Sequence, residues 1–199
     1  MLARNKNKLT LLLLFAAFLL PVLLSWYLLK FTDVAQNRDK SHHGELIHPV
    51  RPLADVGLLD PVTGNEHSLH GKWNLVYHHR GTCLDECRNN LYKLRQLLLA
   101  TGQYSLRLHR VMIVNRQDLG SIKPLLTEDY AGQLLLFREE VTQEFIDAFR
   151  KNSGEDVVSA GRLYIVDPLG NLMMRYDADV DPRGIIKDIQ RLIKNSRIG

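Results

Sequence analysis

Residues 73–100 read WNLVYHHRGTCLDECRNNLYKLRQLLLA, and this stretch decides the fold. Positions 73–79 form a strand-like apolar run. Cys83 and Cys87, the only two cysteines in the chain, stand four apart just after it. From Cys83 or Leu84 to about Ala100 the spacing predicts a helix, with Leu84, Cys87, Leu91, Leu94 and Leu98 on one stripe and Thr101-Gly102 as its stop. Sulfurs at i and i+4 share a helix face, close enough to hold one metal ion or to form a disulfide. A helix N-terminus also favours thiolate, the form that binds metal or attacks a disulfide. Two inert core cysteines are the plainer alternative.

Working outward, the elements alternate. Residues 54–59 read as a strand followed by the turn Asp60-Pro61-Val62-Thr63-Gly64-Asn65. Residues 106–115 and 133–137 read as strands, with a weak helix or loop at 119–126 interrupted by Pro124. A helix is predicted over 139–151, closed by Asn152-Ser153-Gly154. Residues 162–166 and 172–176 flank Asp167-Pro168-Leu169-Gly170-Asn171, a hairpin-like turn. Asp181-Pro182 opens a last helix to about Asn195. The pattern is α/β. A dithiol between the first core strand and its helix narrows it to a thioredoxin-like fold, a central mixed sheet flanked by helices, preceded by one N-terminal transmembrane helix.

That helix is predicted over residues 9–29, LTLLLLFAAFLLPVLLSWYLL, an uncharged run of about 21 residues, long enough for a bilayer at 1.5 Å per residue. Trp26 and Tyr27 suit an aromatic belt. No small-x-small exit follows, which favours an uncleaved anchor over a signal peptide. The chain therefore divides into a cytoplasmic N-terminus (1–8), an anchor (9–29), a polar linker (30–52) and a thioredoxin-like domain (53–199). Basic residues Arg4, Lys6 and Lys8 precede the anchor, which orients the domain away from the cytoplasm. In a bacterium this means a single pass through the inner membrane with the domain in the periplasm. Four of the 26 basic residues lie in or beside the anchor and all 22 acidic residues follow it. The remainder is formally neutral, and a nucleic-acid role has no electrostatic support.

Several motifs now align. They are Leu58, Asp60 and Gly64 as Leu-x-Asp-x-x-x-Gly; Gly71 to Val76 as Gly-Lys-Trp-x-Leu-Val; Cys83 and Cys87 as CxxxC; and Tyr164 to Gly170 as Tyr-x-Val-Asp-Pro-x-Gly. In this order, behind an anchor and a linker, they resemble the Sco/SenC proteins, membrane-anchored thioredoxin-like factors that help build the copper centre of cytochrome c oxidase. The segment from Gly44 to Leu53 also looks like the entry segment of small membrane-anchored relatives associated with oxidase assembly. The resemblance implies copper as cargo or cofactor, Cys83 and Cys87 as ligands or redox dithiol, and an oxidase subunit or another oxidase assembly factor as partner. The sequence also departs from the family. The family's third ligand, a His about five residues before the tyrosine, corresponds to Ser159, and no His follows His109. Leu84 and Arg88 stand where prolines flank the family's cysteines. The family's Val-Asp-Pro-x-x-Asp is reduced to Val114-Asn115-Arg116-Gln117-Asp118.

Copper(I) is soft, and two thiolates with a third N or S ligand suit it. His78 and His79 end the strand that delivers the cysteines. Adjacent strand residues point to opposite faces, so one at most faces the thiols; both as solvent or turn residues is the plainer reading, and His79 is the candidate to replace the missing ligand. The linker histidines His42, His43 and His48 read as solvated residues. Thiol–disulfide exchange competes with metal binding. Against it, Asp85 and Glu86 oppose thiolate, and residues 156–161 lack the proline that thioredoxin-like oxidoreductases place opposite their dithiol. A degenerate module that binds a partner and does no chemistry is the third reading. Asp177 to Asp181 reads as a solvated acidic turn, and Met173-Met174 as one core and one edge residue. No GxGxxG, P-loop or HExxH motif appears.

Overall fold

A computed structural model describes residues 2–31 and 42–198. They belong to two units, Met1–Ser41 and His42–Gly199.

The first unit holds α1 (Leu2–Phe31), a 30-residue helix with Pro21 inside it. Its apolar side chains are exposed, among them Leu12, Phe15, Phe18 and Trp26. The helix predicted over 9–29 is present within α1. Among the described residues no helix is long and apolar enough to cross a membrane.

The second unit is built on an eight-stranded mixed sheet. Its strands are β1 (Glu45–Pro52), β2 (Gly57–Leu59), β3 (Glu66–Ser68), β4 (Trp73–His78), β5 (Leu108–Val114), β6 (Gln133–Phe137), β7 (Leu163–Val166) and β8 (Asn171–Tyr176). Across the sheet they run β1-β8-β7-β4-β5-β6-β2-β3. Strands β4, β5 and β6 are parallel neighbours, and the other pairings are antiparallel. Four helices complete the unit: α2 (Asp85–Ala100), α3 (Leu119–Glu128), α4 (Gln143–Asp147) and α5 (Pro182–Asn195).

The period-2 pattern of β4 builds a core on each face. Trp73, Leu75 and Tyr77 pack with Leu91, Leu94 and Leu97 of α2, Ile122 and Leu126 of α3, and Ile185, Ile189 and Ile193 of α5. Val76 packs on the opposite face with Phe145 and Ile146 of α4, Phe149 and Tyr164. Each fully buried leucine contributes roughly 1.5–3 kcal/mol relative to exposure. The stripe on α2 differs from the predicted one at both ends: Leu97 takes the buried place given to Leu98, and Leu84 precedes the helix and is 70% exposed, so the stripe begins at Cys87.

The hairpin between β7 and β8 follows from Asp167. Its Oδ1 accepts the amides of Leu169 (2.9 Å) and Asn171 (2.8 Å). Gly170 sits there at φ +83°, and a Cβ would lie 2.1 Å from His70 Nε2 and 3.0 Å from the Leu53 carbonyl. Only glycine fits both the backbone and the space.

Two sequence expectations are corrected. The linker predicted over 30–52 does not extend to residue 52, because its second half is strand β1; residues 32–41 of it lie outside the described residues. Ile47 is buried in the core, and the Glu45 carboxylate receives the Arg175 Nε at 2.9 Å from the neighbouring strand. The guanidinium beside it holds the Glu45 carboxyl down at about 2. These polar partners disguise a sheet edge as solvated chain. The helix predicted over 139–151 shrinks to α4, because Arg138–Glu140 forms a 3-10 turn and Thr142 caps the helix through Phe145 N–H at 3.2 Å. Beyond it, Arg51 Nη1 captures the carbonyls of Ala148 and Arg150, each at 2.7 Å.

Candidate metal and dithiol site

The site lies where β4 ends and α2 begins. Cys83 and Cys87 form a disulfide with their Cα atoms 5.1 Å apart. Both are buried, Cys87 (2% exposed) more than Cys83 (6%). The helix starts at Asp85, two residues later than the earliest predicted start, with Leu84 before it offering no side-chain cap. Asp85 and Glu86 occupy the first turn, where the helix dipole favours their charge while that charge opposes thiolate.

Strand alternation separates the two histidines. His78 lies on the face away from the cysteines, its ring 4.6 Å from Phe149 and 5.7 Å from Tyr164. It is fully buried, and burial, reinforced by the Arg138 charge, pushes its pKa down to about 3. The Arg138 guanidinium is placed to donate to His78 Nδ1 at 3.4 Å, so this imidazole is neutral and committed to the core.

His79 lies on the dithiol side. Its backbone amide continues the sheet by donating to the Ile113 carbonyl at 2.9 Å, and its ring stacks 6.2 Å from Tyr77. One ligand atom from each of His79, Cys83 and Cys87 lies within 4.8 Å of the others. His79 Nε2 is 3.0 Å from the Gly81 carbonyl. A carbonyl only accepts, so Nε2 carries the proton and Nδ1 keeps the lone pair of a neutral imidazole. Burial lowers the His79 pKa, and the Gly81 carbonyl and the charges of Asp118 and Glu86 offset this only in part. The ring is thus neutral near pH 7, as metal ligation requires.

Two further residues border the site. The buried Tyr77 hydroxyl has its pKa raised by burial, with a hydrogen bond to the Asn90 side chain opposing and the Glu86 charge adding. The Asp118 carboxylate accepts the Gly81 amide at 2.9 Å. Neither was singled out from the sequence. Tyr77 carried a signal, since it stands two residues before His79 and shares its face. Asp118 carried none, because its contact joins two separate strand ends.

The other sequence candidates fall elsewhere. Ser159, at the position of the family's distant His, bonds locally to the Asp156 carbonyl at 3.1 Å. Its loop runs past the dithiol helix, since a Cβ on Gly161 would lie 3.0 Å from Glu86 Oε1. That loop offers a hydroxyl and no imidazole. Asp177 pairs with Arg162 Nε at 2.5 Å and Asp181 caps α5, so these acids serve structure. Met174 is buried and Met173 half-buried, both against one core cluster; β8 lies between β1 and β7, so the edge role expected for one of them is not found. His43 Nδ1 meets Asp188 at 3.3 Å and His42 Nδ1 meets the Gly44 carbonyl at 2.9 Å. Neither is a free solvated side chain.

Chemically, two sulfurs and a neutral imidazole nitrogen form a soft donor set suited to Cu(I). The sulfurs serve it only after the disulfide takes up two electrons and two protons and the thiols deprotonate. In the disulfide form the same pair can accept electrons from a partner dithiol.

The comparisons agree with the thioredoxin-like fold. Yeast Sco1 with copper bound is 23% identical, with a TM-score of 0.57 over 73% of this chain and 95% of that one. Arabidopsis thaliana ScoI with copper bound is 16% identical, with a TM-score of 0.54 over 73% of this chain and all of the other (100%). BsSco, described with a disulfide switch and as a member of the Sco family of cytochrome c oxidase assembly proteins, is 15% identical, with a TM-score of 0.55 over 76% and 99%. Sco proteins are thus among the structural neighbours, beside a thiol-disulfide oxidoreductase from Bacteroides vulgatus and a thiol:disulfide interchange protein from Bacteroides sp., and at these identities the likeness is one of fold. No curated relative matches at the level of sequence. The family described as transmembrane-like, thioredoxin-like, C-terminal domain matches residues 73–196, from the first strand of the dithiol motif to the end of α5. The chain belongs to this family of transmembrane-like proteins with a thioredoxin-like C-terminal domain.

Proposed function

We propose that this protein is a membrane-anchored, Sco-like factor that assists assembly of the copper centre of cytochrome c oxidase. It would act by holding Cu(I) between Cys83, Cys87 and His79, by reducing a partner's disulfide to thiols, or by both. The observation that carries this reading is the convergence of one imidazole and both sulfurs within 4.8 Å at the start of the first core helix. The uncharged sequence of residues 9–29 and the exposed apolar side chains of α1 support an anchor. With three basic residues ahead of that run, the domain lies in the periplasm of a bacterium. The partner is an oxidase subunit or another oxidase assembly factor, a reading supported by the printed descriptions of the Sco neighbours.

In the redox mode Cys83, the more exposed sulfur, attacks a partner disulfide as thiolate. A mixed disulfide forms and one partner thiolate leaves. Cys87 then attacks Cys83, the mixed disulfide breaks, and the second partner sulfur leaves. Two electrons and two protons pass to the partner, and this chain is left with its disulfide. A general thiol–disulfide oxidoreductase is the second reading, favoured by the disulfide itself. In that case, turnover with a small dithiol reductant and a model disulfide substrate would be fast, and Cu(I) binding would be weak.

The test is Cu(I) titration of the reduced full-length chain against a chromogenic Cu(I) chelator. One equivalent is expected to bind, and His79→Ala is expected to weaken binding by about 10- to 100-fold, ~1.4–2.8 kcal/mol. Unchanged stoichiometry and affinity in that variant would remove His79 from the site.

A further inference from the structure

His79 is held by a residue outside the strand that carries it. The Arg116–Asp118 turn leaves β5 as a 3-10 segment, fixed by the Asp118 amide donating to the Asn115 carbonyl at 3.0 Å. The half-buried Asp118 carboxylate then reaches the turn after β4, where Oδ2 accepts the Gly81 N–H at 2.9 Å. Gly81 lies at φ +82°, with nothing within 4 Å of where a Cβ would be. The glycine is therefore required by backbone conformation and not by lack of space. Its carbonyl receives His79 Nε2–H at 3.0 Å. Asp118 thus holds the Gly81 amide while the Gly81 carbonyl accepts from the imidazole, with a Thr82 backbone contact beside it.

We propose that Asp118 is a positioning residue for His79: by holding the Gly81 amide it fixes the Gly81 carbonyl that keeps the proton on Nε2 and leaves Nδ1 as the donor nitrogen. This inference rests on reading His79 as the third ligand of the Cys83/Cys87 site. Outer partners that orient a ligating imidazole in this way typically change metal affinity by about 10- to 100-fold when removed.

The experiment compares full-length wild type, Asp118→Ala, Asp118→Asn and His79→Ala, each reduced. Two readouts are taken: Cu(I) affinity by chelator competition, and the His79 tautomer in the metal-free protein from its ring 15N shifts. Wild type is expected as the Nε2–H tautomer. Asp118→Ala is expected to show mixed tautomers and affinity lowered about tenfold or more. Asp118→Asn retains an oxygen that accepts the Gly81 amide, so it is expected to keep the tautomer and bind within about threefold of wild type. If Asp118→Ala does not fold, Asp118→Glu, whose longer side chain displaces the carboxylate from the amide, carries the same expectation of mixed tautomers. Wild-type tautomer and affinity in both Asp118→Ala and Asp118→Glu would overturn the proposal. If wild type binds no Cu(I), or His79→Ala binds as wild type does, the functional reading fails, and the tautomer readout alone still decides whether Asp118 positions the ring.

Discussion

The Cys83→Ser/Cys87→Ser double variant is expected to lose Cu(I) affinity by about a thousandfold or more, ~4 kcal/mol, and all dithiol redox activity. Serine matches cysteine in shape, but its hydroxyl is neither a soft ligand nor a two-electron redox group. The pair is buried at the head of α2, so replacing it also removes the cross-link that closes this turn. The two cysteines are four positions apart, and the chain entropy that closing so short a loop removes from the unfolded state is less than a long loop would lose. The fold should therefore survive, with thermal unfolding close to that of the reduced wild type. Retention of oxidase assembly in cells carrying the double variant would favour the third reading, a partner-binding module without chemistry.

Asp188→Ala is expected to destabilise the second unit by about 3 kcal/mol. The carboxylate, 3% exposed on α5, accepts the His43 amide at 2.7 Å, the Gly44 amide at 3.1 Å and the Tyr176 hydroxyl at 3.3 Å. Alanine leaves these three donors, and the His43 imidazole 3.3 Å away, without this acceptor, and each buried unpaired group costs roughly 1–3 kcal/mol, part of it recovered by water reaching the exposed edge. In a domain of this size the change lowers Tm by roughly 6–12 °C. Asp188→Asn keeps one oxygen acceptor and should lose less. Calorimetry showing a Tm within 2 °C of wild type for Asp188→Ala would contradict this account of how the entry segment is tied down.

Much of this architecture was legible in residues 73–100. The alternation of β4 and the spacing of Leu91 and Leu94 fixed a strand-to-helix unit with the dithiol at its junction, and the same alternation allowed only one of His78 and His79 on the dithiol face; the structure shows it is His79. What escaped the sequence has one physical character, namely contacts between residues far apart in the chain. Strand β1 looked like linker because Glu45 and Arg51 are polar, yet Arg175 and the Ala148 and Arg150 carbonyls satisfy them. The helix over 139–151 matched the helical period, yet Arg51 takes the carbonyls that would have prolonged it. Asp118 bears on the site only because β4 and β5 are adjacent and parallel, a pairing that no local pattern encodes. Leu84 matched the apolar stripe but lies outside the helix, so its side chain points to solvent beside the disulfide.

The most direct measurement is X-ray absorption at the copper edge of the reduced full-length chain loaded with one equivalent of Cu(I), taken beside His79→Ala. The account expects two sulfur scatterers and one nitrogen scatterer in wild type, with the nitrogen lost in the variant. A wild-type site with sulfur scatterers alone, or a spectrum that His79→Ala leaves unchanged, would contradict it.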